Sequence, residues 1–316
     1  MRRAIGSPHN ASVSVGQTRS AAQRALGHVA ALSSGPPLDR TLRITVNFHP
    51  DRLGGGGRPI LTAWAQDPVY RSQFVTGTSN GSLTAHPGGD RWTLESRIFG
   101  GAYDDAPPQW RPTYGALDFR HSPFGAAPRF GSSYLRLTAE VLDWATFCYP
   151  DSFHEPVAFG AAARMGLVEL ALAGNATPDP LYNYIEAHLH RPVLLDRHVE
   201  AMVLDPCYRG TEVEAAAHRL PFPIGWHSGF RLTVDQLCQY PQYRGAEFVD
   251  LGAEIAVDGV IDPRIIGDAV RRGRHDPQSL KMVWHIVARY GTPAAPAAPR
   301  NFRESAPEGA LPAHSP

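Results

Sequence analysis

The sequence predicts an α+β fold on three observations. Short segments with an apolar period of two recur through the chain, helical periods are confined mostly to its front, middle and end, and Gly, Pro and Asp turns separate them. Residues 1 to 16 are polar and patternless. The stretch "QTRSAAQRALGHVAALSS" then spaces Ala22, Leu26, Val29 and Leu32 helically and stops before Gly35-Pro36-Pro37, so residues 1–37 read as a polar segment with a capping helix. At "TLRITVNFH" the period falls to two, with Leu42, Ile44, Val46 and Phe48 on one side and Arg43, Thr45, Asn47 and His49 on the other. After four glycines, "RPILTAWAQD" restarts as a helix with Pro59 near its first turn.

Strands are expected at "RWTLESRIF", "YGALDF" and "SSYLRL". In the first, Trp92, Leu94, Ser96 and Ile98 oppose Glu95 and Arg97. The stretch "EPVAFGAAARMGLVELALAG" reads as one long, largely buried helix that stops at Gly174-Asn175. In "YNYIEAHLHRPV" the alternation sets Ile185, Ala187 and Leu189 on a core face against a row of Tyr184, Glu186, His188 and His190. A further strand follows at "VEAMVLDP". The segment "GTEVEAAAHRL" begins a helix at Thr211, with Glu214 at capping-box spacing. Residues 38–290 are expected to form a single catalytic domain, and the Pro/Ala-rich 291–316 a disordered tail.

With 316 residues and 43% hydrophobic content the chain can bury one large core. Thirty basic and thirty acidic side chains cancel, and no Lys/Arg run stands out, so no nucleic-acid partner is expected. The charged start "MRRAIGSPHNASVSVGQTRS" has no apolar stretch behind it, and no segment approaches a membrane-spanning length. A cytoplasmic protein with no membrane partner is expected, with export by another route left open. Cys148, Cys207 and Cys238 lack CxxC spacing, which implies neither a disulfide framework nor a zinc ribbon. The Asn-x-Ser/Thr triplets at Asn10, Asn80 and Asn175 would matter only in a secretory lumen.

The stretch "NFHPDR" is the first candidate for chemistry. A His-Pro-Asp triplet also marks J-domain chaperones, but there it joins two basic helices, whereas here it follows a period-two strand. Two readings remain: His49 and Asp51 tie down a turn that Pro50 fixes, or His49 and Arg52 form a ligand clamp at a strand end. The clamp requires other polar groups to converge on it. The loop "VTGTSNGSL" supplies Thr76, Thr78, Ser79 and Asn80 between glycines that let backbone approach a ligand closely. Glu186 sits mid-strand between Tyr184 and His188, where a merely solvated surface would more often carry Lys or Thr.

The succession "YGALDF", "RFGSSYLRLTAEVLDWATFCYPDS" and "YIEAHLHRPVLLDRHVEAMVLDP" resembles the second half of bacterial mono-ADP-ribosyltransferase domains. In those, a tyrosine-glycine strand, a T-F-x-x-x-D-S segment and a glutamate-bearing strand follow in that order. The stretch from Arg43 to the final helix also resembles a bacterial family of uncharacterised proteins with "FHPD" and "TSNG" motifs. The resemblance implies an ADP-ribosyltransferase-like split β-sheet core with flanking helices and NAD as substrate. It further implies a protein acceptor and no metal. It puts the NAD-holding residue at His49 or Arg52, the hydroxyl motif nearest Thr78 and Ser79, with Asn80 in the same loop, and the catalytic glutamate at Glu186. Where arginine-modifying members carry a second glutamate, this chain has Tyr184. Glu212 and Glu214 offer the Glu-x-Glu spelling, but their capping-box pattern assigns them to a helix start. Two other function classes stay in play. One is a metal-dependent hydrolase built on His188-x-His190 with His49 and His198, the other a non-catalytic NAD-binding or interaction protein.

Overall fold

The structure, a computed structural model, describes residues 9–54, 57–77, 84–174 and 179–292, with side chains described from Ala21 onward. The loop residues Thr78, Ser79 and Asn80 lie outside the described residues, as do Asn175 and the tail beyond residue 292. No described helix is long and apolar enough to cross a membrane.

Helix α1 (His9–Leu32) ends where Gly35 and the two prolines forbid its continuation. Its buried stripe is Ala21, Ala25 and Val29, packed on Leu94, Ile98, Phe99 and Tyr103, while Leu32 is exposed. Strand β1 (Ile44–Phe48) follows the expected period of two, but all five residues are buried, so its polar row faces a second interior rather than solvent. After α2 (Ile60–Gln66), which opens behind Pro59, comes α3 (Asp90–Ile98).

Helix α3 corrects the strand expected at "RWTLESRIF". Leu94 and Ile98 satisfy a period of two and a spacing of four equally well. With Arg91 and Glu95 they form a buried i, i+3, i+4, i+7 stripe, and Gly89 and Gly100 bound it. Glu95 thereby moves from a solvated strand face into the interior.

Strands β2 (Thr113–Leu117), β3 (Ser133–Leu137) and β4 (Ala145–Tyr149) are followed by β5 (Ala158–Ala161) and α4 (Leu167–Ala173). The last two replace the expected long helix. Four residues of β5 pair with β4, a long-range gain that outweighs the helix propensity of an Ala-rich stretch, and Leu170 and Leu172 of α4 are exposed. Strands β6 (Ile185–Leu189) and β7 (Val199–Leu204) lie where expected, then α5 (Glu212–Ala217) and the short β8 (Ile224–Trp226). Thr211 caps α5 by accepting from the Val213 amide.

The strands pair in the order β8-β7-β3-β1-β2-β6-β4-β5, antiparallel except for β7 with β8. A split sheet is expected, whereas the pairing runs without a gap from β8 to β5. The α+β class holds. One face carries the main core, in which Ile44, Leu117, Leu135, Leu137, Phe147 and Ile185 are almost fully buried. Each such side chain contributes about 1.5–3 kcal/mol relative to exposure.

A second cluster is built by α6 (Ala246–Ile255), α7 (Pro263–Arg272) and α8 (Pro277–Tyr290). Asp262 and Asp276 cap α7 and α8, each followed by proline at the first helical position. These helices close on the turn after β1. The Arg271 guanidinium pairs with Asp51 at 3.1 Å, and Trp284 meets the edge of the His49 ring at 4.8 Å. At Gly267 a Cβ would sit 1.6 Å from the Asp51 carboxylate, so any other residue there would have to displace Asp51.

Candidate functional site

The polar row of β1 does not reach solvent, because residues 124–131 lie across it. Thr45 Oγ1 accepts from the Ala126 amide at 2.8 Å, and the Asn47 amide group bonds Phe124, Ala127 and Gly131. Gly131 permits this close approach, since a Cβ there would lie 2.0 Å from the Phe48 carbonyl carbon. Beyond that contact the row opens into a cavity of about 390 Å³. His49 and Arg52 line it from the turn after β1, Tyr114 from β2, and Glu186 from β6, with Tyr184 just ahead of β6. Thr76 lines it too, at the start of the hydroxyl loop whose Thr78, Ser79 and Asn80 are not described. Spans of more than a hundred residues are thus joined because β1, β2 and β6 are consecutive neighbours in the sheet.

Glu186 is buried and held from two sides. Its Oε2 accepts from the Ser152 hydroxyl at 2.9 Å, and its Oε1 lies 3.2 Å from His188 Nε2. Burial alone raises its pKa, but the His188 hydrogen bond and charge, the nearby Arg91 guanidinium and the Ser152 hydroxyl outweigh it. The carboxyl therefore sits below its ordinary value and is ionised at neutral pH. Arg91 stacks over the Tyr114 ring at 4.3 Å and reaches Ser152 at 3.4 Å. Tyr114 in turn donates to Glu95 at 2.7 Å, and Glu95 is also paired with Arg111 at 2.6 Å. Burial pushes the Glu95 carboxyl up to about 7, in spite of those two partners. A second brace runs behind Tyr184, whose hydroxyl donates to Asp151, itself paired with Arg129 at 3.2 Å and His154 at 2.5 Å.

The opposite side of the cavity is differently made. Neither ring nitrogen of His49 has a hydrogen-bond partner among the described residues, and burial, with the charges of Arg52 and His285, holds its pKa well below the ordinary value. It is a neutral imidazole. Arg52 makes no side-chain hydrogen bond or ion pair among the described residues, its Nε is buried without a partner, and Asp51 acts on it only through charge. Arg58 and Arg71 also line the cavity, bonded to Gln66 and Asp67. Four arginines against two carboxylates, Asp67 and Glu186, make a lining with excess positive charge around a single buried carboxylate.

His49, Arg52 and Glu186, which the sequence singles out, all line this cavity, whereas the side chains that support Glu186 are not foreseen. Arg91 and Glu95 were hidden by reading α3 as a strand. Asp151 and Ser152 stand in the T-F-x-x-x-D-S segment, which pointed to them without a role. The expected metal pair divides: His190 bonds Tyr103 at 2.8 Å and Thr146 at 2.8 Å through its two nitrogens, whereas His188 faces Glu186 and Cys148. His198 accepts from the Leu194 amide, and Glu212 and Glu214 start α5 as their spacing implies.

No curated protein matches the chain. The model of a family described as "Protein of unknown function (DUF3626)" matches residues 43–178 and 172–290, a span that carries both "FHPD" and "TSNG". A match over most of the chain, covering the whole sheet and every described residue that lines the cavity, makes this protein a member of the DUF3626 family.

Proposed function

We propose that the chain is an NAD-dependent mono-ADP-ribosyltransferase, moving ADP-ribose from NAD to a protein or other macromolecular acceptor and releasing nicotinamide. The observation that carries this reading is the convergence of an ionised, buried Glu186 with His49, an Arg52 that has no side-chain hydrogen bond among the described residues, and a positively charged lining on one cavity. On this reading the sheet corresponds to the ADP-ribosyltransferase-like core. The cavity lies in the size range of small-ligand sites, and an unpartnered guanidinium in it suits a ligand that brings its own phosphates.

Breaking the bond between nicotinamide and ribose leaves positive charge on the ribose ring, and both bonding electrons depart with nicotinamide. Glu186 faces that charge and takes a ribose hydroxyl, and because Ser152 and His188 already orient it, no reorganisation is needed as charge develops. The nucleophilic atom of the acceptor then bonds the same ribose carbon and gives its proton to solvent. Arg52 grips the pyrophosphate as a cation. His49, being neutral, serves as a hydrogen-bonding group to a hydroxyl or base instead. Tyr184 stands where arginine-modifying members carry a second glutamate, and its hydroxyl is committed to Asp151, which disfavours arginine as the acceptor. A hydrolase built on His188-x-His190 has less support, because His190 has no free nitrogen.

Incubating chelator-treated protein with NAD labelled in the adenine ring and a cell extract tests the reading. Label transferred to macromolecules, with nicotinamide released, is expected. Absence of both, together with no heat of binding up to millimolar NAD, would overturn it, and binding without release would leave a non-catalytic NAD-binding protein.

A further inference from the structure

Strands β4 and β6 are antiparallel neighbours whose register sets Cys148 opposite Glu186 and Thr146 opposite His188. Alternation along β6 keeps Glu186 and His188 on one face, so a thiol and an imidazole meet the carboxylate of Glu186, which itself lines the cavity. All three residues are buried, and their donor atoms lie within 4.8 Å of one another. Cys148 Sγ is 3.7 Å from His188 Nε2, and His188 Nε2 is 3.2 Å from Glu186 Oε1. A tetrahedral zinc ion with its usual bond lengths requires edges of about 3.6 Å between sulfur and nitrogen and about 3.3 Å between nitrogen and oxygen. Both observed separations are such edges to within a few tenths of an ångström.

We propose that Cys148, Glu186 and His188 form a binding site for a divalent ion of the zinc class, and that filling it switches the cavity off by capturing Glu186. The donors are already oriented from behind. His188 Nδ1 lies 3.1 Å from Thr146 Oγ1, its ring is flanked by the edges of Phe99 and Tyr114, and the far oxygen of Glu186 is held by Ser152. Such outer partners are what fix ligand direction in metal sites. The ion enters through the cavity that Glu186 lines, takes the three donors, and leaves its fourth position toward that cavity. The Cys148 thiol gives up its proton to solvent as the sulfur–metal bond forms, and His188 Nε2 likewise sheds to solvent the hydrogen it directs at Glu186 Oε1, which frees its lone pair for the ion. The mixed sulfur, nitrogen and oxygen set favours zinc or cobalt over magnesium or calcium.

The binding half of the proposal stands apart from the ADP-ribosyltransferase reading, and only the inhibitory half rests on it. Chelator-treated full-length protein is titrated with cobalt, read by thiolate-to-cobalt charge-transfer absorption, and then with zinc against a chromophoric chelator. One equivalent should bind with the thiolate band present. Cys148→Ser should lose the band and at least tenfold in zinc affinity. Cys148→Ala is made alongside it, since a buried serine hydroxyl can cost stability, and circular dichroism confirms that each variant is folded. No metal uptake by the wild-type protein, or equal affinity in both folded variants, would overturn the site whatever the outcome with NAD. With NAD release as the readout, zinc should inhibit the wild-type protein at least tenfold more strongly than a folded Cys148 variant. Equal inhibition of the two would overturn the switch.

Discussion

Glu186 and Arg52 line the same cavity under opposite conditions. Glu186 is braced by Ser152 and His188 and lies within the field of Arg91, which is itself stacked on Tyr114. The Arg52 side chain has no hydrogen-bond partner among the described residues, and neither has the ring of its neighbour His49. Arg52 is half-buried and its Nε is shut off from water without a hydrogen bond, so the Arg52 side gains most when a ligand supplies an anion. A carboxylate already held in place gains little from binding and acts on charge that develops later. The difference assigns affinity to one side and rate to the other.

The comparison breaks first at Glu186. Glu186→Gln keeps the shape and one acceptor for Ser152 but removes the charge. Nicotinamide release from NAD should fall by about 100- to 1,000-fold or more, while NAD affinity measured by calorimetry changes by less than about threefold. A large loss of affinity with an unchanged saturated rate would reverse the roles of the two sides. Arg52→Ala should do the opposite, weakening NAD binding by about tenfold or more, the worth of one charge-assisted hydrogen bond, with a smaller effect on the saturated rate. Because no side-chain hydrogen bond among the described residues is lost and Asp51 keeps its ion pair with Arg271, its melting temperature should change by no more than a few degrees. A sharp fall in melting temperature with normal NAD affinity would make Arg52 a structural residue.

Glu95 sharpens the comparison through pH. Its ordinary pKa is 4.5, and burial lifts it to about 7 in the folded protein against the pull of Tyr114 and Arg111. Between those values the native state holds a proton that the unfolded chain has released. Stability tied to Glu95 is therefore greatest below about pH 4.5, falls as pH rises, and is fully lost above about pH 7. Glu95→Gln cannot titrate. Its melting temperature should decline less between pH 5 and pH 8 than that of the wild-type protein, by a few degrees. Parallel declines would show that Glu95 is ionised throughout.

Five sheet strands, β1, β2, β3, β6 and β7, are legible because each alternates over five or six residues and the turns around them are marked by Gly, Pro or Asp. The misread elements share a cause. Leu94 and Ile98 fit both periods, and β5 is Ala-rich, so in each case tertiary packing or pairing that lies far away in sequence decides the outcome. The same distance limits the site. His49, Arg52 and Glu186 each carry a local oddity, an imidazole and a guanidinium beside a glycine run and a carboxylate in mid-strand, and each lines the cavity. Arg91 carries none and Ser152 only its place in the T-F-x-x-x-D-S segment, because their roles come from reaching one another and Glu186 across the fold.

The smallest effect is expected at the rival Glu-x-Glu site. Glu214 lies in the first turn of α5, where Thr211 accepts from the Val213 amide and Glu214 Oε2 accepts from the Gly210 amide at 2.6 Å. The capping arrangement expected from the spacing is thus present in altered form, with the glutamate reaching one residue further back than a capping box requires. Glu214→Gln leaves a carbonyl oxygen to accept the same bond and removes only a charge that favours the helix N-terminus by about 0.3–1 kcal/mol. Its melting temperature should drop by no more than a few degrees, and NAD release should stay within about twofold of wild type. Glu212 and Glu214 are not among the residues that line the cavity, whereas Glu186 is. Measuring NAD release for Glu214→Gln and Glu186→Gln side by side requires no knowledge of the acceptor. Should the α5 variant abolish release while the β6 variant retains it, catalysis would belong to the "TEVE" segment, and the buried carboxylate at the cavity would be a structural group.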